Sequence, residues 1–368
     1  RLVVVNNDAS CAVYTLLKDQ NIVAATKFTT DGEAYNIEYR GSRYIFESDK
    51  EMNYGYACIN ETLSRLPKKQ RVSTNRTMIK RTFKEKGLAY ASELALANVS
   101  DLGRILKWNE ERGIKFFRMS SDFFPWASEY DLWQLPDYHH IKYLLHVAGD
   151  FARANGHRLT FHPGPFNVLG SPNDKVVKNT IKELNHHSEV FDMMGYKEAT
   201  PYNKINIHVG GTYGGDFEGT AKRWCENYRK LHPRCQQRLT LENDDKPSMW
   251  STLEIYNRIH KVVGVPIVFD FHHHRFCTGG QTEEEALKLA VSTWSVGITP
   301  VVHLSESRAK EHGDKKIRPQ AHSDWIKNPV NTYGQSFDMM LECKKKELAL
   351  LEYRRIVNES ATRGCSVV

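Results

Sequence analysis

One pattern recurs along this chain of 368 residues and constrains its fold more than any other feature. Each repeat has a short apolar run, a polar or charged residue at the end of that run, and then a longer stretch with helical spacing. Short apolar runs rich in β-branched residues are typical of strands that are buried on both faces, as in a parallel sheet. Such runs occur within residues 53–60, 115–125, 158–164, 204–211, 238–245, 265–274, 299–306 and 337–343.

The stretches between the runs carry the signals of helices. Residues 90–112 repeat apolar side chains at helical spacing and stop at Gly113, and residues 179–194 show the same spacing. Thr282 and Glu285 form a T-x-x-E capping box at the start of another helix. Each connection is longer than the roughly 12 residues that a right-handed crossover between parallel strands requires. The alternation therefore predicts an α/β fold of the (β/α)8 TIM barrel type, with an open doubly wound sheet as the alternative.

The ends of the chain lack this pattern. Residues 1–50 mix short β-like pieces with Asn, Asp, Gly and Thr and carry no motif, so we expect an N-terminal extension of uncertain order. The barrel is predicted over residues 51–352, and residues 353–368 are predicted to be a C-terminal tail. No run of 18 or more apolar residues is present, which argues against a membrane role.

Cysteine and charge content narrow the class of protein. The seven cysteines are odd in number, widely spread and without a C-x-x-C pair, which argues against a disulfide framework and predicts an intracellular setting. A formal net charge of +7 favours a polyanionic partner, although many basic proteins never bind nucleic acid. The chain begins with Arg1 rather than Met, so the sequence leaves the compartment open.

The polar residues that end the apolar runs indicate where the site lies, because the carboxyl ends of barrel strands form the active face of such folds. One polar residue of this kind is more often structural than functional. Seven or eight acidic and imidazole side chains on one rim, however, would be costly to bury unless divalent cations neutralised them. The candidate metal ligands are His162, His208, Glu242, Asp270, His273, His303, His322 and Glu342.

The types of these side chains indicate a class of metal and a class of chemistry. Histidine and carboxylate ligands without cysteine suit zinc, manganese or iron. Because eight side chains exceed what one ion needs, a carboxylate such as Glu242 or Glu342 could bridge two or three ions. Clustered divalent ions serve phosphoryl chemistry well, and a basic chain fits a nucleic-acid substrate. The residues thus predict phosphodiester hydrolysis.

A series of motifs in this chain resembles the ultraviolet damage endonucleases, a family of metal-dependent barrel enzymes related in fold to endonuclease IV and xylose isomerase. The likeness covers roughly residues 53–350, and it is the order of the motifs that makes it specific. The motifs include YGYACIN (54–60), RLTFHPGPFNVLGSP (158–172), HVGGTYG (208–214), LTLEND (239–244), VPIVFDFHHH (265–274), VVHLSES (301–307) and RPQAHSDW (318–325).

The resemblance implies a DNA repair endonuclease that nicks damaged double-stranded DNA immediately 5′ to cyclobutane pyrimidine dimers and 6-4 photoproducts. It implies 3′-hydroxyl and 5′-phosphate products, abasic sites as an additional substrate, and a monomer that works at DNA, in the nucleus of a eukaryote or otherwise in the cytoplasm or nucleoid. Two or three divalent ions are implied, with Mn²⁺ preferred and Zn²⁺, Mg²⁺ or Co²⁺ as alternatives. The family's ligands carry over onto the eight strand-end residues, and the catalytic roles fall to Glu242, Asp270, His303 and Glu342.

The resemblance also implies how the ligands are shared among the ions. Glu242 would bridge ions, with Asp270, His303 and Glu342 completing one site. His162 and His208 would complete a second site, and His273 and His322 would hold a third ion. Glu129 stands where relatives carry a ligating histidine, and its carboxylate could still bind a cation. Val301 stands where bacterial relatives have a lysine close to the metals, so that contribution is absent here.

Four further residues are implied to contact damaged DNA. Tyr56 and Asn60 match a tyrosine and an asparagine of the family's first strand, although packing inside the barrel is the alternative role for Tyr56. Pro165 and Phe166 stand where the family inserts a glutamine and an aromatic side chain into the duplex. A phenylalanine can still stack on an unstacked base, whereas proline cannot donate an amide hydrogen bond. We therefore expect a changed damage preference.

Some alternatives stay open at the level of sequence. A sugar isomerase of the same fold would use two metals and would need neither a basic face nor His273 and His322. The residues at Glu129, Pro165 and Val301 depart from the family pattern, which suggests a non-catalytic damage sensor as a further alternative. Arg118 at a strand end could be a buried ion-pair partner or a DNA contact.

Overall fold

The computed structural model describes residues 52–364, with side chains as far as residue 359, and the backbone of six strands between residues 2 and 47. The chain divides into two compact units, Arg1–Met52 and Asn53–Val368. The first unit contains two antiparallel three-stranded sheets. Their strands are β1 (Leu2–Asp8), β2 (Cys11–Lys18), β3 (Asn21–Ala24), β4 (Lys27–Asp31), β5 (Ala34–Tyr39) and β6 (Ser42–Glu47). The boundary predicted between residues 50 and 51 lies outside the described residues.

Eight parallel strands form a barrel in the second unit. Each pairs with the next along the chain from β10 to β14, β14 pairs with β7, and β7, β8 and β9 follow in order. A parallel bridge between Phe161 and Ile205 links β9 to β10 and closes the ring. The strands are β7 (Tyr54–Ala57), β8 (Phe116–Arg118), β9 (Arg158–Thr160), β10 (Ile205–His208), β11 (Leu239–Glu242), β12 (Ile267–Asp270), β13 (Val301–Leu304) and β14 (Asp338–Leu341). The predicted TIM barrel is confirmed, because every predicted run contains a strand and the sheet is not open.

Helices connect the strands of the barrel. Short 3₁₀ turns occur at Ala127–Glu129, Leu132–Gln134 and Pro201–Asn203, and a π-helical turn at Tyr256–His260 joins α7 to α8. The α-helices are α1 (Glu61–Ser64), α2 (Lys80–Glu110), α3 (Tyr138–Ala154), α4 (Asp174–Met193), α5 (Phe217–Tyr228), α6 (Pro233–Arg238), α7 (Thr252–Ile255), α8 (Lys261–Val263), α9 (Phe271–His274), α10 (Glu283–Ser292), α11 (Arg308–His312) and α12 (Lys346–Gly364). Among these helices, none is long and apolar enough to cross a membrane.

The predicted helices are present, and their ends follow from local chemistry. The capping box between Thr282 and Glu285 is confirmed at the start of α10. Helix α4 begins earlier than predicted because the side chain of Asn173 accepts hydrogen bonds from the first free backbone N–H groups. Helix α2 also begins earlier, and Gly87 interrupts it with a left-handed φ of 63°.

The predicted C-terminal boundary at residue 352 falls within helix α12. Helix α12 runs without a break through residue 352, where the sequence analysis placed the end of the barrel domain. Ala349, Leu350 and Tyr353 are buried, so this helix packs on the barrel on both sides of the predicted boundary. Residues 365–368 of the predicted tail lie outside the described residues.

Polar side chains in the barrel interior form a column that leads to the rim. Side chains alternate between the two faces of a strand, so residues 204, 206 and 208 point the same way. The Asn206 side chain donates a hydrogen bond to Glu242, and Lys204 Nζ lies 3.2 Å from His303 Nε2 on a strand that is not its neighbour. Contacts between strands that are not adjacent are possible only across the interior. The fold thus stacks these groups beneath the strand ends.

Candidate metal centre

The carboxyl ends of the barrel strands gather the predicted ligands into two groups. Within each group the ligand atoms all lie within 4.8 Å of one another, which is a spacing that one ion could bridge. The groups are His162, Glu242, His303 and Glu342, and His208, Glu242 and His273. Glu242 belongs to both, which agrees with a bridging carboxylate. The grouping differs from the implied partition, because His162 joins His303 rather than His208.

Glu242 is the centre of this arrangement. It is fully buried, and its Oε2 lies 2.9 Å from His162 Nε2 and 3.1 Å from His303 Nδ1. Its other oxygen, Oε1, lies 3.3 Å from His273 Nδ1. Asn206 Nδ2 donates to Oε2 at 2.5 Å and so fixes the rotation of the carboxylate. The strand end therefore presents one carboxylate to three imidazoles, which lie just after β9, on β13 and in α9.

Glu342 is the second carboxylate of the first group, and it is held from two sides. Its Oε1 lies 3.1 Å from His303 Nδ1 and forms an ion pair with Arg118. This contact supports the ion-pair role for Arg118 rather than a DNA contact. The imidazole of His322 lies nearby, with Nδ1 3.7 Å from Glu342 Oε2, but His322 belongs to neither ligand group.

The run PIVFDFHHH turns directly from strand into helix, and this turn separates its histidines. Asp270 caps α9, because its Oδ1 accepts a hydrogen bond from the backbone N–H of His273 at 2.8 Å. His273 points towards Glu242, whereas His272 Nε2 lies 3.1 Å from the carbonyl oxygen of Gln320. His274 packs against Phe269, with ring centroids 5.2 Å apart. Only one of the three histidines therefore faces the ligand groups.

Orphaned acceptors test whether these residues fit a cation. Glu242 Oε1 and Asp270 Oδ2 are buried, and within the described part of the chain neither accepts a well-oriented hydrogen bond. The imidazole of His273 approaches both, with Nδ1 3.3 Å from Glu242 Oε1 and 3.9 Å from Asp270 Oδ2. Buried acceptors are rarely left without a donor, because this costs free energy. A cation among imidazole nitrogens and carboxylate oxygens would satisfy both atoms, and this donor set suits zinc, manganese or iron. The residues fit a divalent metal.

The charges of the site lead to the same conclusion. Burial alone would raise the pKa of the Glu242 carboxyl, but His303 and His208 outweigh burial and hold this pKa well below its usual range. Burial would lower the pKa of His208, yet the carboxylates of Glu242 and Asp244 outweigh it and raise this pKa to about 9. The carboxylates thus draw protons onto imidazoles, and a bound divalent cation would displace those protons.

Lys204 is a buried cation of the site that sequence reasoning missed. Its Nζ lies 3.2 Å from His303 Nε2, and burial lowers its pKa to about 7. Val301 stands at the position where a lysine was expected from the family resemblance. It is buried two positions before His303 on the same strand. The alternation of side chains counted back from His208 would have identified Lys204 and Asn206 as interior residues.

Glu129 lies apart from the ligand groups. Its carboxylate is 46% exposed in a 3₁₀ turn and is paired with Lys80 at 3.7 Å. It belongs to neither rim group within the described part of the chain. Its role as a ligand stays a prediction.

Tyr56 and Asn60 form a buried network rather than an exposed surface. The Tyr56 hydroxyl donates to Asn109 Oδ1 at 2.7 Å and accepts a hydrogen bond from Asn60 Nδ2 at 2.9 Å. Asn60 also caps α1, because its Oδ1 accepts a hydrogen bond from the backbone N–H of Leu63. Burial raises the pKa of the Tyr56 hydroxyl. Both side chains have a clear structural role, and their contact with DNA stays a prediction.

Pro165 and Phe166 occupy the opposite kind of environment. Both are exposed in the loop that follows β9, and the Phe166 side chain is 87% exposed. A single exposed aromatic side chain is not unusual, but the open ring of Phe166 is free to stack on a base. The position fits the predicted insertion into damaged DNA.

Comparisons with known proteins show which family the chain resembles. Residues 52–364 match the family described as UV-endonuclease UvdE. The chain is 33% identical over 341 residues to the UV-damage endonuclease of Schizosaccharomyces pombe, a match that covers 87% of this chain and 54% of that protein, or about half its length. It is 32% identical over 279 residues to the UV DNA damage endonuclease of Bacillus cereus strain G9842, covering 73% of this chain and 82% of that protein. The crystal structure of SacUVDE has a TM-score of 0.71 and 30% identity, covering 84% of this chain and 99% of that chain.

Proposed function

This chain belongs to the UV-endonuclease UvdE family, and from that premise we propose that it nicks damaged double-stranded DNA immediately 5′ to ultraviolet photoproducts. The substrates are cyclobutane pyrimidine dimers and 6-4 photoproducts, with abasic sites in addition. The products are a 3′-hydroxyl and a 5′-phosphate. The chain acts as a monomer at DNA, in the nucleus of a eukaryote or otherwise in the cytoplasm or nucleoid.

The observation that carries this proposal is the buried Glu242 carboxylate, which is shared by two groups of ligand atoms at one barrel rim. The proposed cofactor is two or three divalent ions, with Mn²⁺ preferred. When bound, such ions supply water activation and stabilisation of the leaving oxygen. Glu242 would hold two ions, His162, His303 and Glu342 would complete one site, and His208 and His273 would complete the other. Asp270 and His322 lie next to these groups and would add ligands.

Two groups of this chain would set the geometry of the ligands. Asn206 donates to Glu242 and fixes the plane of its carboxylate. Arg118 is paired with Glu342 and limits its rotation. Partners of this kind orient metal ligands and tune their basicity. They would keep the bridging carboxylates in place while a phosphate binds.

Basic loops on the same rim support a DNA substrate. The loop after α1 carries Lys68, Lys69 and Arg71, and the loop after α11 carries Lys315, Lys316 and Arg318, all of them exposed. Phosphate contacts of this type supply affinity and position the duplex without reading its sequence. A sugar isomerase would leave these loops and the exposed Phe166 without a role.

The test is cleavage of a duplex with one defined cyclobutane dimer by the purified chain with Mn²⁺, with the nick mapped to the nucleotide. We expect one nick directly 5′ to the dimer, a 3′-hydroxyl end, and no cleavage of the undamaged duplex. A duplex with one abasic site tests the additional substrate in the same assay. Absence of cleavage with Mn²⁺, Zn²⁺, Mg²⁺ and Co²⁺, or a nick elsewhere, would contradict the proposal.

A further inference from the structure

Two aromatic side chains are exposed on neighbouring loops of the barrel rim. Phe166 lies in the loop after β9 and is 87% exposed, and Tyr213 lies in the loop after β10 and is 42% exposed. The loop of Tyr213 begins directly after His208, a member of one ligand group. Tyr213 stands within the motif HVGGTYG and belongs to neither ligand group of the rim.

The backbone around Tyr213 adopts an unfavourable conformation. The φ angle of Tyr213 is 47°, and those of Gly214 and Gly215 are 88° and 85°, so three successive residues are left-handed. A left-handed conformation is costly for a tyrosine, because its Cβ approaches the following carbonyl oxygen. Such strain is concentrated at functional sites, where the surrounding structure holds a side chain in a required orientation.

The loops of Phe166 and Tyr213 are joined to each other. Gly210 has a φ of 98°, and a Cβ added there would lie 2.5 Å from Val168 Cγ1, so only glycine allows the two loops to meet. Arg223 on α5 links them a second time, because its Nε donates to the carbonyl oxygen of Gly170 at 3.1 Å. The central guanidinium carbon of Arg223 lies 5.7 Å from the centre of the Tyr213 ring. One face of the ring therefore has a cation against it.

We propose that Tyr213 stacks on a base that has lost its pairing partner at the lesion, and that it thereby contributes to damage specificity. This inference rests on the proposed function of the rim. Aromatic stacking accepts any base, because every base has a π-face. Each base of an intact duplex is covered on both faces by its neighbours, whereas a lesion weakens pairing and makes unstacking less costly. Stacking on Tyr213 is therefore available mainly to damaged DNA.

The test measures binding of the metal-free full chain to two duplexes of one sequence, with and without a cyclobutane dimer, by fluorescence anisotropy. The variants are Tyr213→Ala and Tyr213→Phe. The control is Tyr143→Ala, which removes another exposed tyrosine ring (64% exposed) from helix α3. A 2-aminopurine opposite the dimer reports unstacking of that base. Thermal unfolding of each variant verifies that the fold is kept.

We expect Tyr213→Ala to weaken binding of the damaged duplex about tenfold or more, consistent with the loss of one stacked base. Binding of the undamaged duplex should stay within about twofold of the parent. Tyr213→Phe keeps the ring and should behave as the parent does, as should Tyr143→Ala. The 2-aminopurine signal of the complex should change in Tyr213→Ala only.

Equal losses on both duplexes, or no loss on either, would overturn the role of Tyr213. So would a parent chain that binds both duplexes equally, because there would be no discrimination to explain. Nicking by the parent with Mn²⁺ is measured separately. A parent that prefers the damaged duplex but never cuts it would contradict the proposed function and leave the stacking role supported.

Discussion

The two ends of the barrel interior both bury charged side chains, but those charges are satisfied to different degrees. At the amino end of the strands, Arg158 and Asp338 form an ion pair of 2.9 Å, and both are almost fully buried. Arg158 also donates to the carbonyl oxygens of Thr299 and Tyr202, and Asp338 accepts two hydrogen bonds from Asn53. No polar atom of this pair is among the buried unsatisfied atoms of the described chain.

At the carboxyl end the same barrel leaves acceptors without donors. Glu242 Oε1 and Asp270 Oδ2 are buried and unsatisfied within the part of the chain that the structure describes. Both ends would look alike if only buried charge were counted. Hydrogen-bond satisfaction, rather than burial, therefore distinguishes a structural ion pair from a group of ligands that could bind a cation.

Glu242→Gln should give the largest loss. An amide in place of the shared carboxylate removes a ligand from both groups, so nicking should fall by more than the roughly 10–100-fold that outer-sphere changes cause. Metal content measured by mass spectrometry should fall with it. The control Glu226→Gln, on the exposed surface of α5, should change neither quantity. A Glu242→Gln variant with full metal content would remove the basis of the contrast.

Asp338→Asn, at the amino end of the strands, should lower stability and leave metal content unchanged. It leaves the Arg158 guanidinium buried without a counter-charge, and breaking a buried pair in this way costs about 3–5 kcal/mol of unfolding free energy. Metal content should stay at the parent level. Urea unfolding of the parent and of Asp338→Asn measures the loss of unfolding free energy. Asp314→Asn, on an exposed loop, is the matched control. Unchanged stability would show that this end is not a structural pair.

Asn206→Ala should have a moderate effect that is restricted to the metal end. It removes the donor to Glu242 Oε2, and loss of such a partner typically lowers metal affinity by about 10–100-fold. The maximal rate at saturating Mn²⁺ should fall less than the affinity. Titration with Mn²⁺ checks this, with Asn257→Ala on an exposed helical surface as the control. An unchanged Mn²⁺ affinity would mean that the carboxylate is oriented by its metals alone.

A pH dependence should be the smallest effect and should appear only in the metal-free chain. The pKa of His208 is raised to about 9 in the fold, above the ordinary value of 6.5. The stability that this proton contributes is therefore fully present below about pH 6.5 and is lost as the pH rises through about 9. The melting temperature of the metal-free chain should fall across that range, and that of His208→Asn should fall less. Identical curves would contradict the raised pKa.

Much of the rim was predictable from the sequence, because apolar runs that end in acids or histidines are local patterns. The strand of every predicted run and the capping box at Thr282 follow from neighbouring residues alone, whereas the strand ends left Glu242 and Glu342 as alternative bridging carboxylates. Lys204 and Asn206 were missed, because alternation along β10 places them in the interior but does not reveal their partners, His303 on β13 and Glu242 on β11. The exposed position of Phe166 and the buried network of Tyr56 also depend on tertiary packing, which residue type alone does not determine.

The closure of the barrel has a consequence for how the metal centre opens. Strands β9 and β10 are joined at the bridge by two backbone hydrogen bonds, from Phe161 N–H to the Lys204 carbonyl and from Asn206 N–H to the Phe161 carbonyl. This seam lies directly beside His162 and His208, which contribute to different ligand groups. Local opening there would part the two histidines without unfolding the remaining strands. Metal binding should consequently slow amide hydrogen exchange at Phe161 and Asn206 more than at β12, because bound ions would hold together the one join of the described barrel that is made by an isolated bridge.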